Sequence, residues 1–196
     1  TGEVSIFPAP EVHRKIIRYA VCFGDELWVG TQNGVYVINE KHNSVQHIPA
    51  DAGGKYGLGD AIVDKIYRDR EGGTWICTQF GGASYLPGGV CYWNPGTQTF
   101  TKIPQSPDRQ NVLSLFASDD LVGAGYFKGG IDLIVPQDQV QTFYPAQLGI
   151  SEGSVFALYR DRGGAIWLGD GWNIFRSADK GQTFEKMEQF GYAYMR

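Results

Sequence analysis

The amino-acid sequence predicts an all-β fold, a β-propeller with four complete four-stranded blades, and three observations support this prediction. Glycine makes up 27 of the 196 residues, about twice its usual share, which indicates a chain rich in turns. Apolar residues alternate in short runs between glycine, asparagine, aspartate and proline, as in strands joined by tight turns. This pattern returns every 45 to 47 residues. Four short strands in a repeat of that length are typical of a propeller blade.

Two segments show the repeat most clearly. Residues 63–75 and 155–167 align without a gap, share the tetrapeptide Tyr-Arg-Asp-Arg and end on a tryptophan. Trp28 ends the same pattern in the first repeat, and Val122 is placed at the equivalent position in the third, which gives spacings of 47, 47 and 45 residues. Because one blade cannot bury both faces of its sheet alone, we expect the tryptophans to pack between neighbouring blades.

The repeat also predicts the boundaries of the blades. In the second repeat the four strands are IVDKIYR, TWICT, VCYWN and TFTKIP. The ends of the chain fall inside the repeat, since its first residues match the end of a unit and its last residues only begin one. We therefore expect a fragment of a larger propeller. The predicted segments are an outer strand of a preceding blade (1–8), blades at 14–49, 62–104, 111–145 and 154–189, and a stub of a next blade (190–196).

Composition excludes several classes of partner. The formal net charge is −4, so no basic surface for nucleic acid is expected. No run of uncharged apolar residues reaches the length of a membrane span, so no membrane insertion is expected in this segment. The three histidines lack metal-ligand spacing, and neither a metal nor another cofactor is expected. Cys22, Cys77 and Cys91 are odd in number and form no CxxC pair, which favours buried free thiols.

At this point the residues resemble a known family. The segments DREGGTWICT with GGVCYWNPGTQTFTKI, and DRGGAIWLGDGWNIFRSADKGQTFEKM, resemble the two-component regulator propeller repeat over roughly residues 14 to 190. The sequence departs from that repeat at Cys77, where glycine is usual, at Asp170, where threonine is usual, and in the third unit, which lacks the tryptophan.

The resemblance implies a cellular setting and a function. Proteins of this family carry propellers of about seven blades in the periplasmic sensor regions of bacterial hybrid two-component histidine kinases, which are common in Bacteroidetes. Such regions recognise products of polysaccharide breakdown. The resemblance therefore implies a non-enzymatic, periplasmic sensor segment, anchored to the membrane through its parent chain. Its partners would be an oligosaccharide or another small ligand and the neighbouring blades or domains, with a homodimer as a further option.

A ligand site is expected on the face where the loops between strands two and three meet the loops between blades. Aromatic rings there would stack on sugar rings, and amide groups would pair with their hydroxyls. The alternative is that these side chains pack the loops on each other or on a partner domain. The candidate residues are Gln32, Asn33, Tyr56, Phe80, Tyr85, Tyr126, Phe127, Lys128, Asp170, Trp172 and Asn173.

A second motif, the Asp-box, occurs in the fourth repeat. Aspartate and serine side chains there accept backbone hydrogen bonds in a turn, so a structural role is expected. Sialidase propellers carry the same motif, and an Asp-box glycoside hydrolase or carbohydrate-binding module is one alternative function. A protein–protein assembly scaffold of the cell envelope is another. A sialidase would need three arginines at one site, whereas the arginines of the Tyr-Arg-Asp-Arg turns are expected on the opposite face. The Asp-box residues are Ser177, Asp179, Gly181, Thr183 and Phe184.

Overall fold

A computed structural model of the chain describes residues 9–49, 58, 62–79, 88–103, 111–135, 140–150 and 153–188. In these residues 16 strands form four antiparallel sheets of four strands each, with the strands of every sheet in sequence order. We number the sheets blade 1 to blade 4 along the chain. The prediction of an all-β fold with four four-stranded units is confirmed. The predicted strand at residues 1–8 and the stub at 190–196 lie outside the described residues.

The strands follow the repeat closely. Blade 1 contains β1 (Ile17–Phe23), β2 (Glu26–Thr31), β3 (Gly34–Asn39) and β4 (Ser44–Ile48). Blade 2 contains β5 (Ile62–Arg68), β6 (Thr74–Gln79), β7 (Gly89–Asn94) and β8 (Thr99–Lys102). Blade 3 contains β9 (Val112–Ala117), β10 (Val122–Tyr126), β11 (Gly130–Ile134) and β12 (Val140–Phe143). A single helical turn, α1 (Pro145–Leu148), precedes blade 4, with β13 (Ala157–Arg160), β14 (Ile166–Gly169), β15 (Ile174–Ser177) and β16 (Glu185–Lys186).

Apolar clusters between neighbouring blades form the core. The first strands of consecutive blades pack on one another, β1 on β5, β5 on β9 and β9 on β13. Trp28 is 4% exposed and lies in a cluster with Ile66 and Cys91 of blade 2. Trp75 is 3% exposed and packs in a cluster with residues of blade 3. Both tryptophans therefore pack between blades, as the repeat predicts, whereas Trp167 of blade 4 is only half-buried and belongs to none of the buried clusters of the described residues. In the described residues no helix is long and apolar enough to cross a membrane.

The prediction that Val122 takes the place of the tryptophan in blade 3 is wrong by one residue. In blades 1 and 2 the residue three positions after the tryptophan pairs with the glycine that opens the third strand. In blade 3 that position is Tyr126, opposite Gly130, so the residue at the tryptophan position is Gly123. Phe116 pairs with Gly123, and a β-carbon on this glycine would lie only 2.2 Å from the Phe116 ring. The phenyl ring thus covers the place where the other blades carry an indole.

One inter-blade contact is repeated along the chain. In blades 2 to 4 a valine at the start of the first strand, or just before it, lies over a small residue in the second strand of the preceding blade. A β-carbon on Gly30 would lie 2.9 Å from a methyl group of Val63, and one on Gly125 would lie 2.7 Å from a methyl group of Val155. We call the valine position the knob and the small-residue position the seat. Between blades 2 and 3 the knob is Val112 and the seat is Cys77, which share one cluster.

A β-bulge follows the knob in the first strand. The pairing with the second strand shifts by one residue between Ile17 and Tyr19, and again between Val63 and Lys65. The same shift occurs in blade 3. The extra residue stands outside the ladder of paired residues. The extra residues are Arg18, Asp64 and Leu113, and Phe156 has the equivalent place just before β13.

The cysteines differ in exposure. Cys77 and Cys91 are buried free thiols, as expected, and burial raises the pKa of the Cys77 thiol well above its ordinary value. Cys22 is exposed, so the expectation of burial is wrong for this residue. It lies on β1, on the face that points away from blade 2, where the equivalent residues of later blades are covered by a preceding blade.

Candidate functional site

The loops between strands two and three meet the connections between blades at one end of the molecule, which we call the loop end. The backbone N–H of Lys128, in the β10–β11 loop, donates to Ser154 Oγ at 3.1 Å. The N–H of Gly130 donates to the carbonyl of Gly153 at 3.3 Å. Both acceptors belong to the connection that enters blade 4. The expected meeting of these two kinds of loop is therefore confirmed for blades 3 and 4.

Two of the predicted aromatic residues are exposed at the loop end. Phe127 is 44% exposed and Trp172 is 61% exposed. Lys128 is also exposed, and its ammonium lies 5.4 Å from the centre of the Phe127 ring. Large apolar side chains that remain open to solvent in a group mark surfaces that bind something.

Two further aromatic residues lie at the same end, and neither was predicted from the sequence. Tyr144 follows β12 and is 46% exposed, and its backbone lies beside Gly130. Phe156 is 55% exposed, and its ring lies 3.4 Å from the β-carbon position of Gly171, next to Trp172. Tyr144 lies in a connection between blades, so its place at the loop end could have been predicted from the sequence. Phe156 lies at the bulge, and the bulge is visible only in the register of the paired strands. The resulting surface, which we call the rim, consists of Phe127, Lys128, Tyr144, Phe156 and Trp172.

Tyr126 and Asp170 do not face solvent, although the sequence analysis grouped them with the exposed candidates. Tyr126 is fully buried, and its hydroxyl donates to Asp132 Oδ2 at 2.8 Å. Asp170 is fully buried as well, and its Oδ1 accepts the backbone N–H groups of Trp172 at 2.9 Å and Asn173 at 2.7 Å. Both side chains hold their loops in shape from beneath, so they position the rim and do not form it.

The other candidates are separate from the rim. Gln32 and Asn33 are exposed at the loop end of blade 1, and blades 2 and 3 stand between them and blade 4. The hydroxyl of Thr31 accepts the N–H of Asn33 at 2.9 Å, and a ring nitrogen of His47 lies 2.7 Å from the Asn33 carbonyl oxygen. These contacts fix the turn. Tyr56, Phe80 and Tyr85 lie outside the described residues.

The Asp-box forms a closed turn between β15 and β16. Asp179 accepts hydrogen bonds from the hydroxyls of Thr183 at 2.6 Å and Ser177 at 2.7 Å, and from the Thr183 N–H at 3.0 Å. These hydrogen bonds hold the pKa of Asp179 well below its ordinary value. The bonds from Thr183 contribute most, and the bond from Ser177 contributes less. Gly181 donates to Ser177 Oγ at 2.8 Å, and the Phe184 ring centre lies 6.1 Å from that of Phe143. A carboxylate kept ionised in this way has no proton to give as a general acid.

A cavity of about 560 Å³ opens at the opposite end, where strands one and two are joined. Its walls come from the first strands of all four blades and from the turns that follow three of them. It was missed by the sequence analysis, which placed the arginines of the repeated tetrapeptide at this end only as turn residues. The tyrosines and cations that line it are Tyr19, Tyr67, Tyr159, Lys65, Arg70, Arg160 and Arg162.

Most of the arginines at this end join adjacent blades. Arg68 of blade 2 donates to Glu26 of blade 1 at 2.9 Å. Arg160 of blade 4 forms two hydrogen bonds with Asp120 of blade 3, one of them 3.0 Å long. The aspartates of the tetrapeptides pair with the backbone of their own turns. Asp69 accepts the N–H of Gly73 and Asp161 that of Ala165.

The Arg160–Asp120 pair predicts a small dependence of stability on acid. The hydrogen bond from Arg160 lowers the pKa of Asp120 from 3.8 to about 2. Because the folded-state pKa lies below the unfolded one, the stabilisation is complete above pH 4 and is lost as the pH falls towards 2. Asp120 is 63% exposed, so we expect Asp120→Asn to cost only about 0.5–1 kcal/mol at pH 5. Urea unfolding at pH 5 and at pH 2 measures this. An equal cost at both values would contradict the assignment.

Four sheets in sequence order, packed by a repeated knob and seat, define a propeller-like repeat protein with an aromatic rim at one end. Protein families and curated proteins give no match to the chain. Among solved structures it is similar to the extracellular domains of two hybrid two-component systems from B. thetaiotaomicron. For BT3049 the TM-score is 0.67 at 20% identity, over 86% of this chain and 23% of that one. For BT4673 it is 0.66 at 20% identity, over 88% and 22%.

A third similar structure is YCF48 from Cyanidioschyzon merolae, with a TM-score of 0.64 at 15% identity over 95% of this chain and 60% of that one. At such identities the likeness shows the fold alone. The chain spans less than a quarter of the length of the two-component domains that it matches. These two neighbours are consistent with the resemblance of the repeat to two-component regulator propellers.

Proposed function

We propose that this chain is a ligand-binding part of the periplasmic sensor of a bacterial two-component signalling protein, and that it recognises oligosaccharides derived from polysaccharides. Three observations support the proposal: the motifs of the repeat, the extracellular two-component domains among the structural neighbours, and the rim. The observation that carries it is the rim, because its exposed aromatic rings and the ammonium of Lys128 have the chemistry to hold a sugar.

The rim suits a sugar for physical reasons. Its four aromatic side chains are between 44% and 61% exposed. The C–H bonds on one face of a pyranose ring carry a weak positive charge, and the face of an aromatic ring carries a negative one, so the two stack. The ammonium of Lys128 lies 5.4 Å from the centre of the Phe127 ring. Because a carboxylate would pair with this ammonium, we expect the rim to prefer oligosaccharides that contain uronic acids over neutral ones.

We also propose that the four blades belong to a ring of more than four. Ile174 of blade 4 is 38% exposed, whereas the equivalent residues Val35, Val90 and Ile131 of the other blades are fully buried by the blade that follows them. The side of blade 4 that corresponds to these buried surfaces is therefore uncovered. The parent chain would be anchored in the membrane beyond this segment and would provide the signalling output.

Binding without catalysis is part of the proposal. The hydrogen bonds of Asp179 stay within its own turn, and the arginine pairs at the opposite end join blades to each other. Both arrangements favour structural roles over those of a sialidase. The chain should not cleave a fluorogenic sialic acid substrate, even at high protein concentration. Turnover that disappears in Asp179→Asn would overturn this part of the proposal.

The binding proposal predicts which substitutions matter. Trp172→Ala and Phe127→Ala should each weaken the binding of an oligosaccharide about tenfold or more, since each removes an aromatic ring from the stacking surface. Titration calorimetry with uronic-acid and neutral oligosaccharides of matched length measures the affinity. Tyr159→Ala is the matched control, because Tyr159 is 60% exposed but lines the cavity at the opposite end. Wild-type affinity in both rim variants, or no binding of any oligosaccharide, would refute the role of the rim.

A further inference from the structure

The cavity of about 560 Å³ at the end opposite the rim is not used by the proposed function. We call it the turn-end cavity. Its volume is within the range of about 300–1,000 Å³ that is usual for sites of small molecules. The first strands of all four blades contribute to its wall, together with the turns that follow three of them. A molecule bound in the turn-end cavity would therefore contact several blades at once.

The wall of the turn-end cavity carries more positive than negative charge. Among the described residues Asp161 is the one carboxylate on this wall, and both of its oxygens accept hydrogen bonds from its own blade. Oδ1 accepts the N–H of Ala165 at 2.9 Å, and Oδ2 accepts the indole N–H of Trp167 at 2.8 Å. Cations that share a cavity attract anions from solution. The four cations on the wall are Lys65, Arg70, Arg160 and Arg162.

Lys65 lines the turn-end cavity without a carboxylate partner in the described part of the chain. Its ammonium lies 5.0 Å from the centre of the Tyr19 ring, and within the described ranges it forms no hydrogen bond or ion pair. The carboxylate of Asp64, its neighbour in the sequence, is paired with Arg18. An ammonium has three N–H donors and no acceptor. The acceptors for Lys65 must therefore come from water or from a ligand in the cavity.

Arg160 is held beside the same cavity and keeps donors to spare. Its Nη1 donates to Ser118 Oγ at 2.7 Å and to Asp120, and its Nη2 donates to Asp120 Oδ2 at 3.0 Å. A guanidinium has five N–H groups, so the N–H of Nε and one N–H of Nη2 have no acceptor among the residues that the structure describes. The side chain is only 16% exposed. Because these bonds fix the guanidinium before a ligand arrives, less conformational entropy is lost on binding.

Tyr67 adds a neutral donor to the wall. Burial, followed by the charges of Asp119 and Asp69, raises the pKa of the Tyr67 hydroxyl, which therefore keeps its proton. Both carboxylates are engaged elsewhere, Asp119 with Arg70 at 2.7 Å and Asp69 with the N–H of Gly73 at 2.7 Å. In the described ranges the hydroxyl has no hydrogen-bond acceptor of its own. It is free to donate to a molecule in the cavity.

These groups belong to junctions inside the described chain. Lys65 and Tyr67 are on β5, which packs between the first strands of blades 1 and 3. Arg160 joins blade 4 to blade 3 through Asp120. Tyr159 also lines the cavity, but it lies on the uncovered side of blade 4. The site does not require Tyr159, so it does not depend on what precedes blade 1 or follows blade 4 in the parent chain.

We propose that the turn-end cavity binds a small organic anion, whose phosphate, sulfate or carboxylate group accepts hydrogen bonds from Lys65, Arg160 and the hydroxyl of Tyr67. Hydrogen bonds from cations to an oxyanion are stronger than those between neutral groups, so they select the charged molecule. The ring of Tyr19 lies beside the ammonium and would cover the uncharged part of the ligand. The proposal does not rest on the rim, because the rim lies at the opposite end of the blades.

The test is titration calorimetry of the chain with glucose phosphate, glucose sulfate and glucuronate, with glucose as the neutral control. The anions should bind at least about tenfold more tightly than glucose. Glucose phosphate should bind most tightly, because a phosphate monoester carries up to two negative charges at neutral pH. Lys65→Met should weaken the binding of glucose phosphate about tenfold or more. Lys186→Met is the matched control, because it removes the same charge from β16, the outer strand of blade 4, and should bind normally.

Two further variants separate this site from the rim. Tyr67→Phe keeps the ring and removes the donor, so the affinity for glucose phosphate should fall about threefold. Trp172→Ala should leave that affinity unchanged, and a loss there would place the anion at the rim and overturn the proposal. Anions that bind no more tightly than glucose, or equal losses in Lys65→Met and Lys186→Met, would overturn it as well. Oligosaccharide titrations of Trp172→Ala report on the rim alone, so either proposal can fail while the other stands.

Discussion

Replacing Gly34 by alanine should destabilise the protein by about 3 kcal/mol or more. Gly34 has a φ of +97° in the β2–β3 turn, which side chains of L-residues rarely adopt. Its β-carbon would also lie 2.2 Å from the Ile48 carbonyl oxygen and 3.1 Å from the Pro49 Cα. Both neighbours are backbone atoms, so neither can move aside without breaking the pairing of β3 with β4. Urea unfolding followed by circular dichroism measures the loss.

Gly24→Ala is the matched control for Gly34→Ala. Gly24 also has a positive φ, of +62°, but nothing lies within 4 Å of its β-carbon position. Gly24→Ala should therefore lower the free energy of unfolding only by the strain of a left-handed backbone, about 1 kcal/mol. If the two variants lost the same stability, the close approach of Ile48 would have no energetic effect and our explanation for Gly34 would be wrong.

Replacing Asp132 by alanine should lower the free energy of unfolding by about 3 kcal/mol, an effect similar to that of Gly34→Ala. Asp132 is 2% exposed and accepts hydrogen bonds from Tyr126 at 2.8 Å and Thr142 at 2.7 Å. The substitution removes the acceptor of both bonds, and the Tyr126 hydroxyl is fully buried. A buried donor that loses its acceptor keeps the cost of its desolvation. The same unfolding experiment measures the difference.

Thr142→Val is the control for the network around Asp132. It removes one donor and keeps the carboxylate with its bond from Tyr126, so the expected cost is about 1 kcal/mol. The β10–β11 loop, with Phe127 and Lys128, follows Tyr126 directly, so Asp132→Ala should also weaken oligosaccharide binding. A stability loss no larger than that of Thr142→Val would show that the Tyr126 bond contributes little.

The sequence predicted the repeat because strands and turns are local features. The strand IVDKIYR corresponds to β5 (Ile62–Arg68) residue for residue. The tryptophans of the first two blades were correctly placed between blades, because a large apolar residue repeated at a constant spacing must face a repeated neighbour. Blade 3 has no tryptophan, so its second strand could not be aligned on that residue with the other repeats. A valine was then preferred to the glycine that the register requires, since nothing local shows that Phe116 covers Gly123.

The site was predicted less well, for a reason that the register makes plain. Tyr126 and Asp170 stand three residues after the tryptophan position of their blades, which is the place of Thr31 and Thr78 in the other blades, and all four are fully buried. At this position a hydroxyl or carboxylate holds the turn from below, as Thr31 does for Asn33. The length of a loop does not reveal that role. Tyr144 stands in a connection between blades and Phe156 at the bulge, and the bulge is visible only in the register of the paired strands.

The β-bulge of the first strand has a consequence for how such a protein diversifies. The bulged residue belongs to neither the ladder nor the knob-and-seat contact, so its side chain is not constrained by the packing of its own sheet. The four blades carry different kinds of side chain at this position: a cation, an anion, an aliphatic residue and an aromatic ring. They are Arg18, Asp64, Leu113 and Phe156. Mutation at these positions can therefore alter the surface chemistry of a blade without altering its sheet, although Arg18 and Asp64 would have to change together because they form an ion pair between blades 1 and 2.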